Sequence, residues 1–305
     1  MIFQQTLGNK VTFSGIGLHT GKTITITLRP AEPGTGVVFH RVDLTPAVSI
    51  EAHAENVVNT RLSTTIGRGE ASVSTIEHLM AALYGCGIDN AHVDINGPEV
   101  PIMDGSAAPF VSAIVKAGVK ESRKARKNLV IKKPVSVTEG DKKASIIPSR
   151  HYKISFDMQF AHPAVKSQVR SLEFSQTSFT DEYAAARTFG FLAEVEMMKS
   201  HGLALGGSLE NAVVIGDNGV LNPEGLRFQD EFVRHKILDS VGDFSLAGHR
   251  LIGHVKATKS GHDLNHKLVM EILKRPDCYT LIEFTPQAFN APFNIALPEL
   301  AWLEA

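Results

Sequence analysis

The chain has 305 residues, 43% of them hydrophobic, and a formal net charge of −1 at pH 7. This length can hold two domains of ordinary size, and the near-neutral charge gives no field that would attract polyanions, so we expect no nucleic-acid partner. The N-terminal residues lack a signal-peptide pattern, no apolar run approaches membrane-spanning length, and the two cysteines are far apart, so we expect a cytoplasmic protein without a transmembrane segment.

The first half begins with strand-like alternation up to about Val73. Residues 16–23 nearly match a phosphate-binding P-loop, but Ile16 stands where glycine is required and a strand pattern follows. We therefore predict a turn between strands there, in which His19 could face a cleft. A helix at about 75–85 with Ser74 as its N-cap, a strand at about 91–96 and a helix at about 107–117 follow.

A basic stretch at 120–128 separates the two halves. It could bind nucleic acid or lipid phosphate, but it is short and has no aromatic residue on which a base could stack. We predict a solvated linker at 121–128 between an N-terminal domain (1–120) and a C-terminal domain (129–305).

The second half repeats the order of elements of the first. Strands are predicted near 129–137, 143–147, 152–160 and 169–174, then a helix near 229–247, a strand near 249–257 and a helix near 263–275. The repeated order predicts two similar layered units of sheet and helices that pack pseudo-symmetrically. In the second domain an insert spans about 188–221, with an apolar helix at 191–198, a turn at 206–208, a strand and a hairpin turn at 217–219.

The most informative pattern is on the helix near 229–247, where His235, Asp239 and Asp243 are spaced four residues apart. Side chains at this spacing share one helix face. A histidine and an aspartate one turn apart can bind the same zinc ion. For an isolated pair, the usual interpretation is a surface helix on which the two side chains only favour each other.

A third ligand is available on the corresponding helix of the first half, where Glu77 precedes His78. Locally, Glu77 could be a capping partner and His78 a half-buried core residue. Pseudo-symmetric packing would instead bring His78 to His235 and Asp239 in a cleft between the domains. Two histidines and one aspartate leave a coordination position open, which is typical of catalytic zinc, and Glu77 would be placed to act as a base.

A loop at 258–262 follows the next strand and carries His262, a candidate acid or base for which a helix-capping role is the alternative. Asp243 could orient that imidazole. Lys236, next to His235, could be no more than a solvated residue at the rim of the site. Alternatively, it could neutralise an anionic substrate or a developing oxyanion.

Taken together, these motifs make the chain resemble the UDP-3-O-acyl-N-acetylglucosamine deacetylases of lipid A biosynthesis. The resemblance extends over essentially the whole chain. It implies an α+β fold of two pseudo-symmetric layered sheet and helix domains, packed with their helices facing each other and each with a small insert. It rests on residues 75–79, 235–243 and 259–262, supported by 15–21, 101–110, 187–191 and 226–232.

The resemblance implies zinc held by His78, His235 and Asp239, with iron(II) able to occupy the same ligands. It implies Glu77 as general base and His262 as general acid, supported by Asp243. It further places Lys236 in the site and gives the Thr188 hydroxyl a role in stabilising the oxyanion.

For the substrate, the resemblance implies a UDP-glucosamine that carries a 3-O-acyl chain and loses its N-acetyl group. The insert would form a passage for the acyl chain, with substrate-binding residues Phe189, Phe191, Val195, Leu203, Ala204, Ser208 and Val214. Phe160, Lys142 and Lys259 would lie on the nucleotide side, where Gln159 stands at a position expected to be acidic. We expect a monomer.

A second hypothesis is a non-catalytic module that binds a nucleotide sugar or lipid and keeps the metal for structure. Glu77 and His262 together argue against it, because neither is needed as a zinc ligand. Fusion to a fatty-acid dehydratase, a third possibility, would need a longer chain.

Overall fold

The computed structural model describes residues 2–284. Among the described residues, the first half of the chain contains ten strands and two α-helices. They are β1 (Phe3–Leu7), β2 (Val11–Ile16), β3 (Thr23–Pro30), β4 (Val37–Arg41), β5 (Val48–Glu51), β6 (Val57–Asn59), β7 (Thr65–Arg68), β8 (Ala71–Val73), α1 (Glu77–Gly85), β9 (Ala91–Ile95), α2 (Ala108–Ala117) and β10 (Val119–Ala125).

The main sheet of the first half has the strand order β2-β3-β9-β4-β5. β4 runs parallel to β9, and the other neighbours are antiparallel. In β3 the buried side chains Ile24, Ile26 and Leu28 alternate with more exposed threonines, as expected for a strand with one face on a core. Leu79 of α1 and Phe110 of α2 belong to the same core. β6, β7 and β8 form a separate three-stranded sheet, and β1 pairs with β10.

The second half, as far as residue 284, contains ten strands and four α-helices. They are β11 (Lys127–Ile131), β12 (Val135–Glu139), β13 (Lys142–Ile147), β14 (Tyr152–Gln159), β15 (Ser167–Glu173), α3 (Gln176–Glu182), β16 (Phe189–Phe191), α4 (Leu192–Ser200), β17 (Val213–Gly216), β18 (Gly219–Val220), α5 (Glu231–Ser245), β19 (Arg250–Thr258), α6 (His262–Leu273) and β20 (Tyr279–Glu283).

The main sheet of the second half is organised around β19. This strand runs antiparallel to β13 and parallel to both β11 and β14. β12, β20 and β15 complete the sheet, and β16, β17 and β18 form a small sheet of their own within the predicted insert. Two sheets with packed helices confirm the predicted α+β class.

Helix α1 of the first half packs against helix α5 of the second half, as predicted for helices that face each other. The closest approach is at Gly242, where a Cβ atom would collide with the main-chain carbonyl of Glu77. Only a residue without a side chain fits between the two backbones at this point. α5 buries Phe232, Ile237 and Val241 on its core side, so the helix contact and the core fix α5 in place together.

The predicted start of α1 is wrong. The helix begins at Glu77, and Thr75 has a φ of 57° that is incompatible with a helical turn. The hydroxyl of Ser74 donates to the carbonyl of Pro98 rather than capping the helix. Glu77 is therefore free of the capping role that its spacing from Ser74 suggested.

Two other elements differ from the prediction, and a third matches it. The strand expected at 129–137 is interrupted into β11 and β12, with Pro134 between them, and proline cannot donate a ladder hydrogen bond. The helix predicted at 191–198 is present as α4, from Leu192 to Ser200, and none of its residues is buried. Helix α3 was not predicted, although Ser175 and Ser178 form a capping box at its start.

The division into domains at 1–120 and 129–305 stays a prediction, and residues 285–305 of the second domain lie outside the described residues. In the stretch expected to be a linker, β10 pairs with β1 up to Ala125 and β11 begins at Lys127. None of the helices between residues 2 and 284 is both long and apolar enough to cross a membrane.

Candidate functional site

Three side chains that could bind a metal meet where α1 packs on α5. His78 comes from α1, and His235 and Asp239 lie one turn apart on α5. The Nε2 atoms of His78 and His235 lie 3.4 and 3.3 Å from Oδ1 of Asp239. One possible ligand atom of each residue lies within 4.8 Å of the others, and all three residues are buried. The structure therefore brings together the three residues that the sequence suggested as ligands.

The imidazole of His235 is oriented by its second nitrogen. Its Nδ1 lies 3.0 Å from the carbonyl oxygen of Ala186, which can only accept, so Nδ1 carries the proton and Nε2 has a free lone pair. Burial lowers the pKa of His235 to about 4, although the charge of Asp239 opposes this effect. The ring is therefore neutral near pH 7 and can act as a ligand.

The chain segment that supplies this carbonyl is held by a buried ion pair. Nε of Arg187 donates to Oε1 of Glu231 at 2.9 Å, and the main-chain N–H of Arg187 donates to the same oxygen at 3.0 Å. Arg187 and Glu231 are 2% and 0% exposed. A buried guanidinium and carboxylate with several hydrogen bonds fix the geometry of the residues beside them. Ala186 and Thr188 are the residues on either side of Arg187 in the chain.

Asp239 has one oxygen with a partner and one without. Oδ2 accepts a hydrogen bond from Nζ of Lys236 at 3.0 Å, whereas the buried Oδ1 has no hydrogen-bond partner. Burial alone would raise the pKa of Asp239, but His235 and Lys236 hold it well below its usual range. An ionised, buried oxygen without a donor, between two imidazole nitrogens, suits a bound cation.

Glu77 is buried beside the three-residue cluster. Its Oε2 accepts from the main-chain N–H of Thr64 at 3.0 Å, and its Oε1 lies 3.7 Å from Nε2 of His262. Burial raises the pKa of Glu77, with the charges of His262 and His78 opposing. The carboxylate thus has one oxygen held and one facing His262.

His262 lies at the start of α6 with its ring against Asp243. Nδ1 lies 3.0 Å from Oδ2 and 3.2 Å from Oδ1 of Asp243. Burial would lower the pKa of His262, but the carboxylates of Asp243 and Glu77 outweigh this and raise it to about 9. The imidazole is therefore protonated near pH 7 and can donate a proton from Nε2.

These groups open onto a cavity of about 260 Å³ between the two halves. Both polar and apolar side chains line it. The lining residues are Leu18, His19, Leu62, Thr75, Glu77, His78, Ile102, Phe160, Thr188, Phe189, Gly190, Phe191, Glu194, His235, Lys236, Asp239 and His262.

Several residues that the sequence suggested for substrate contact lie in this lining. The ring of Phe160 packs against both aromatic residues of β16, with centroids 6.1 Å from Phe189 and 5.7 Å from Phe191. Thr188 precedes β16, and its N–H donates to Gly105 at 2.8 Å. The three phenylalanines give the cavity an apolar wall next to the polar cluster.

Other predicted residues do not line the cavity. Lys259 pairs with Asp141 at 2.6 Å, and Lys142 lies exposed at the start of β13. The N–H of Ser208 donates to Asn211 within a turn. The remaining members lie in the insert and are not among the residues that line the cavity: Val195, Leu203, Ala204 and Val214. Asp243 lies behind His262.

The sequence left open whether His19 in the loop at 17–20 faces a cleft, and it did not assign the loop a role in the site. His19 lines the cavity, and both of its ring nitrogens are buried without a hydrogen-bond partner. The fully buried Glu99 holds the loop by accepting from the N–H groups of His19 and Thr20 at 2.8 and 2.9 Å. The N–H of Gly206 in the insert donates to Leu18 at 3.0 Å. A buried acid at position 99 cannot be recognised from sequence spacing alone.

Comparison with known proteins agrees with the family resemblance found in the sequence. A model of the family UDP-3-O-acyl N-acetylglycosamine deacetylase matches residues 4–274. The chain is 90% identical over 305 residues to a protein named UDP-3-O-acyl-N-acetylglucosamine deacetylase from Geobacter sp. (strain M21), covering 100% of both chains. Proteins of the same name from Geotalea uraniireducens (strain Rf4) and Myxococcus xanthus (strain DK1622) are 68% and 55% identical. These two matches cover 100% and 92% of this chain, and 100% and 89% of the respective relative.

Proposed function

The chain belongs to the UDP-3-O-acyl N-acetylglycosamine deacetylase family, and from this premise we propose that it hydrolyses the N-acetyl group of UDP-3-O-acyl-N-acetylglucosamine. The products are acetate and UDP-3-O-acyl-glucosamine, in the committed step of lipid A biosynthesis. The names of the relatives support the substrate. The observation that carries the chemistry is the pair formed by Glu77 and His262, 3.7 Å apart beside the three candidate ligands.

We propose zinc as the metal, held by His78, His235 and Asp239, with iron(II) as an ion that the same ligands accept. The residues fit a cation because the buried Oδ1 of Asp239 has no hydrogen-bond donor and Nε2 of His235 has a free lone pair. Three ligands from the protein leave one position open. Bound zinc would supply Lewis-acid activation of a water molecule and of the amide carbonyl.

Glu77 is the general base in this proposal. Its free oxygen, Oε1, takes a proton from the attacking water as the water oxygen bonds to the acetyl carbon. The N–H of Thr64 holds Oε2 and so orients the carboxylate toward the cavity. Glu77 is 4% exposed, so its carboxylate is shielded from bulk solvent.

His262 is the general acid. As the bond between the acetyl carbon and the sugar nitrogen breaks, Nε2 gives its proton to that nitrogen, because an amide anion leaves poorly. Asp243 keeps the ring oriented with Nε2 toward the cavity, and its charge favours the protonated form. After the step, a free amine and acetate remain.

Two further residues stabilise the negative charge that develops on the carbonyl oxygen. Thr188 would donate from its hydroxyl, and its main chain is fixed to Gly105 and Val213 at 2.8 Å each. The ammonium of Lys236 lines the same cavity and is held by Asp239. Burial would lower the pKa of Lys236, but Asp239 raises it, so the lysine stays charged.

The acyl chain and the nucleotide bind on either side of this centre. We assign the acyl chain to the insert, through Phe189, Phe191, Val195, Leu203, Ala204, Ser208 and Val214. Phe160, Lys142 and Lys259 are assigned to the nucleotide side. Burial of each methylene contributes about 0.8 kcal/mol, so a long chain can dominate affinity.

We place the enzyme in the cytoplasm and propose that it acts as a monomer. The two cysteines, Cys86 and Cys278, are unpaired and buried, which is usual in a reducing compartment.

The test is acetate release from UDP-3-O-acyl-N-acetylglucosamine by the purified protein, with and without a chelator. We expect turnover that is lost on metal removal and restored by zinc. A protein that binds the substrate equally well with and without metal but releases no acetate would instead be the non-catalytic module.

A further inference from the structure

One buried threonine contacts both the base Glu77 and Asp243, the carboxylate that holds the acid His262. Thr64 lies directly before β7 and is 2% exposed. Its main-chain N–H donates to Oε2 of Glu77 at 3.0 Å, and its hydroxyl Oγ1 donates to Oδ1 of Asp243 at 2.6 Å. One residue of the first half therefore bridges the base on α1 and the carboxylate on α5 that holds the acid.

The hydroxyl completes the set of donors around Asp243. Oδ2 of Asp243 accepts from Nδ1 of His262 at 3.0 Å and from Nδ2 of Asn265 at 2.9 Å, while Oδ1 accepts from Thr64. With both oxygens held, the carboxylate cannot rotate away from the imidazole. Asn265 is itself fixed by the hydroxyl of Ser260 at 2.8 Å.

We propose that Thr64 is a positioning residue that sets the distance and angle between the base Glu77 and the acid His262. This inference rests on the proposed deacetylase function. Thr64 does not line the cavity, so it acts through Glu77 and Asp243 and not on the substrate. Small displacements of a proton donor reduce its contribution to the transition state far more than they reduce substrate binding.

The experiment compares Thr64→Val with Thr64→Ser. Valine keeps the shape and the main-chain N–H but removes the hydroxyl, whereas serine keeps the hydroxyl. Thr65→Val is the matched control, because Thr65 is also buried and its side chain has no hydrogen bond within residues 2–284. We expect Thr64→Val to lower kcat by roughly tenfold or more with KM changed by less than about twofold, since a hydrogen bond to a charged group is lost. Thr64→Ser should recover most of kcat, and Thr65→Val should keep it.

A double variant tests the route. If Thr64 acts through Asp243, adding Thr64→Val to Asp243→Asn costs little beyond Asp243→Asn alone. If the fold-losses in kcat of the two single variants multiply in full in the double variant, Thr64 does not act through Asp243.

A readout without turnover separates this inference from the proposed function. We expect the proton on Nδ1 of His262, which faces Asp243, to give a low-field NMR signal that is assigned by its loss in His262→Ala. Thr64→Val should shift or broaden that signal, and Thr64→Ser and Thr65→Val should leave it in place. If the wild-type protein releases no acetate, the proposed function fails while the signal still decides the role of Thr64. An unchanged signal in Thr64→Val, or wild-type kcat in that variant, overturns the inference.

Discussion

Oδ2 of Asp243 lies 3.0 Å from Nδ1 of His262, so the helix that carries two candidate metal ligands also holds the candidate acid. His235, Asp239 and Asp243 occupy three successive turns of α5. Any movement of α5 therefore displaces the metal site and the acid together, which links the geometry of the two.

Changing Asp243 to Asn should move the basic limb of the pH profile. The folded protein holds the pKa of His262 at about 9, so the acid form is present below this pH and is lost as the pH rises through it. Removing the carboxylate charge lowers that pKa, so we expect the basic limb of kcat/KM to move to lower pH by roughly one to three units. Asp263→Asn is the control, because Asp263 is exposed on α6 and pairs with Lys267. An unmoved limb in Asp243→Asn would contradict the support of His262 by Asp243.

Changing Glu77 to Ala should abolish most of the turnover and leave the metal in place. Glu77 is outside the three-ligand group, and general base catalysis contributes roughly a hundred-fold to ten-thousand-fold, so kcat should fall by that order. Metal analysis of the purified variant shows whether the site is still loaded. Near wild-type turnover in metal-loaded Glu77→Ala would rule out this carboxylate as the base.

Metal removal should lower both activity and thermal stability. The ligands are buried, and a cation that binds only the folded state stabilises it by about 2.7 kcal/mol at a free concentration one hundred times its Kd. We expect a chelator to lower Tm and zinc to restore it, and we expect His235→Ala to show little response to either. A Tm that is insensitive to chelation in the wild-type protein would argue against a metal at this site.

Changing Gly242 to Ala should destabilise the fold at the contact between α1 and α5. The new Cβ would collide with the carbonyl of Glu77, and overpacking of this kind typically costs about 1–3 kcal/mol. Gly261→Ala is the control, because a Cβ there meets no atom within 4 Å and its φ of −153° is extended. Denaturant unfolding measures both variants. Equal stability of Gly242→Ala and the wild-type protein would mean that the helices can separate without cost.

Much of the fold could be predicted from local patterns. Period-two alternation located strands such as β3, and glycines marked the ends of helices such as α1 and α2. The family resemblance, which rested on several long motifs, is confirmed by the match over residues 4–274. The start of α1 could not be predicted from local sequence. Whether Ser74 caps the helix depends on its hydrogen bond to the carbonyl of Pro98, which is 24 positions further along the chain.

The candidate ligands could be predicted in part because helix periodicity alone places His235 and Asp239 on one face of α5. The sequence by itself therefore determined the α+β class, the ligand types and their local spacing. Only the tertiary structure brought His78 to within 3.4 Å of Asp239, oriented His235 through Ala186 and joined Thr64 to both Glu77 and Asp243. These contacts join residues as many as 179 positions apart in the sequence. The packing of the two halves brings such residues together, and local periodicity carries no information about that packing.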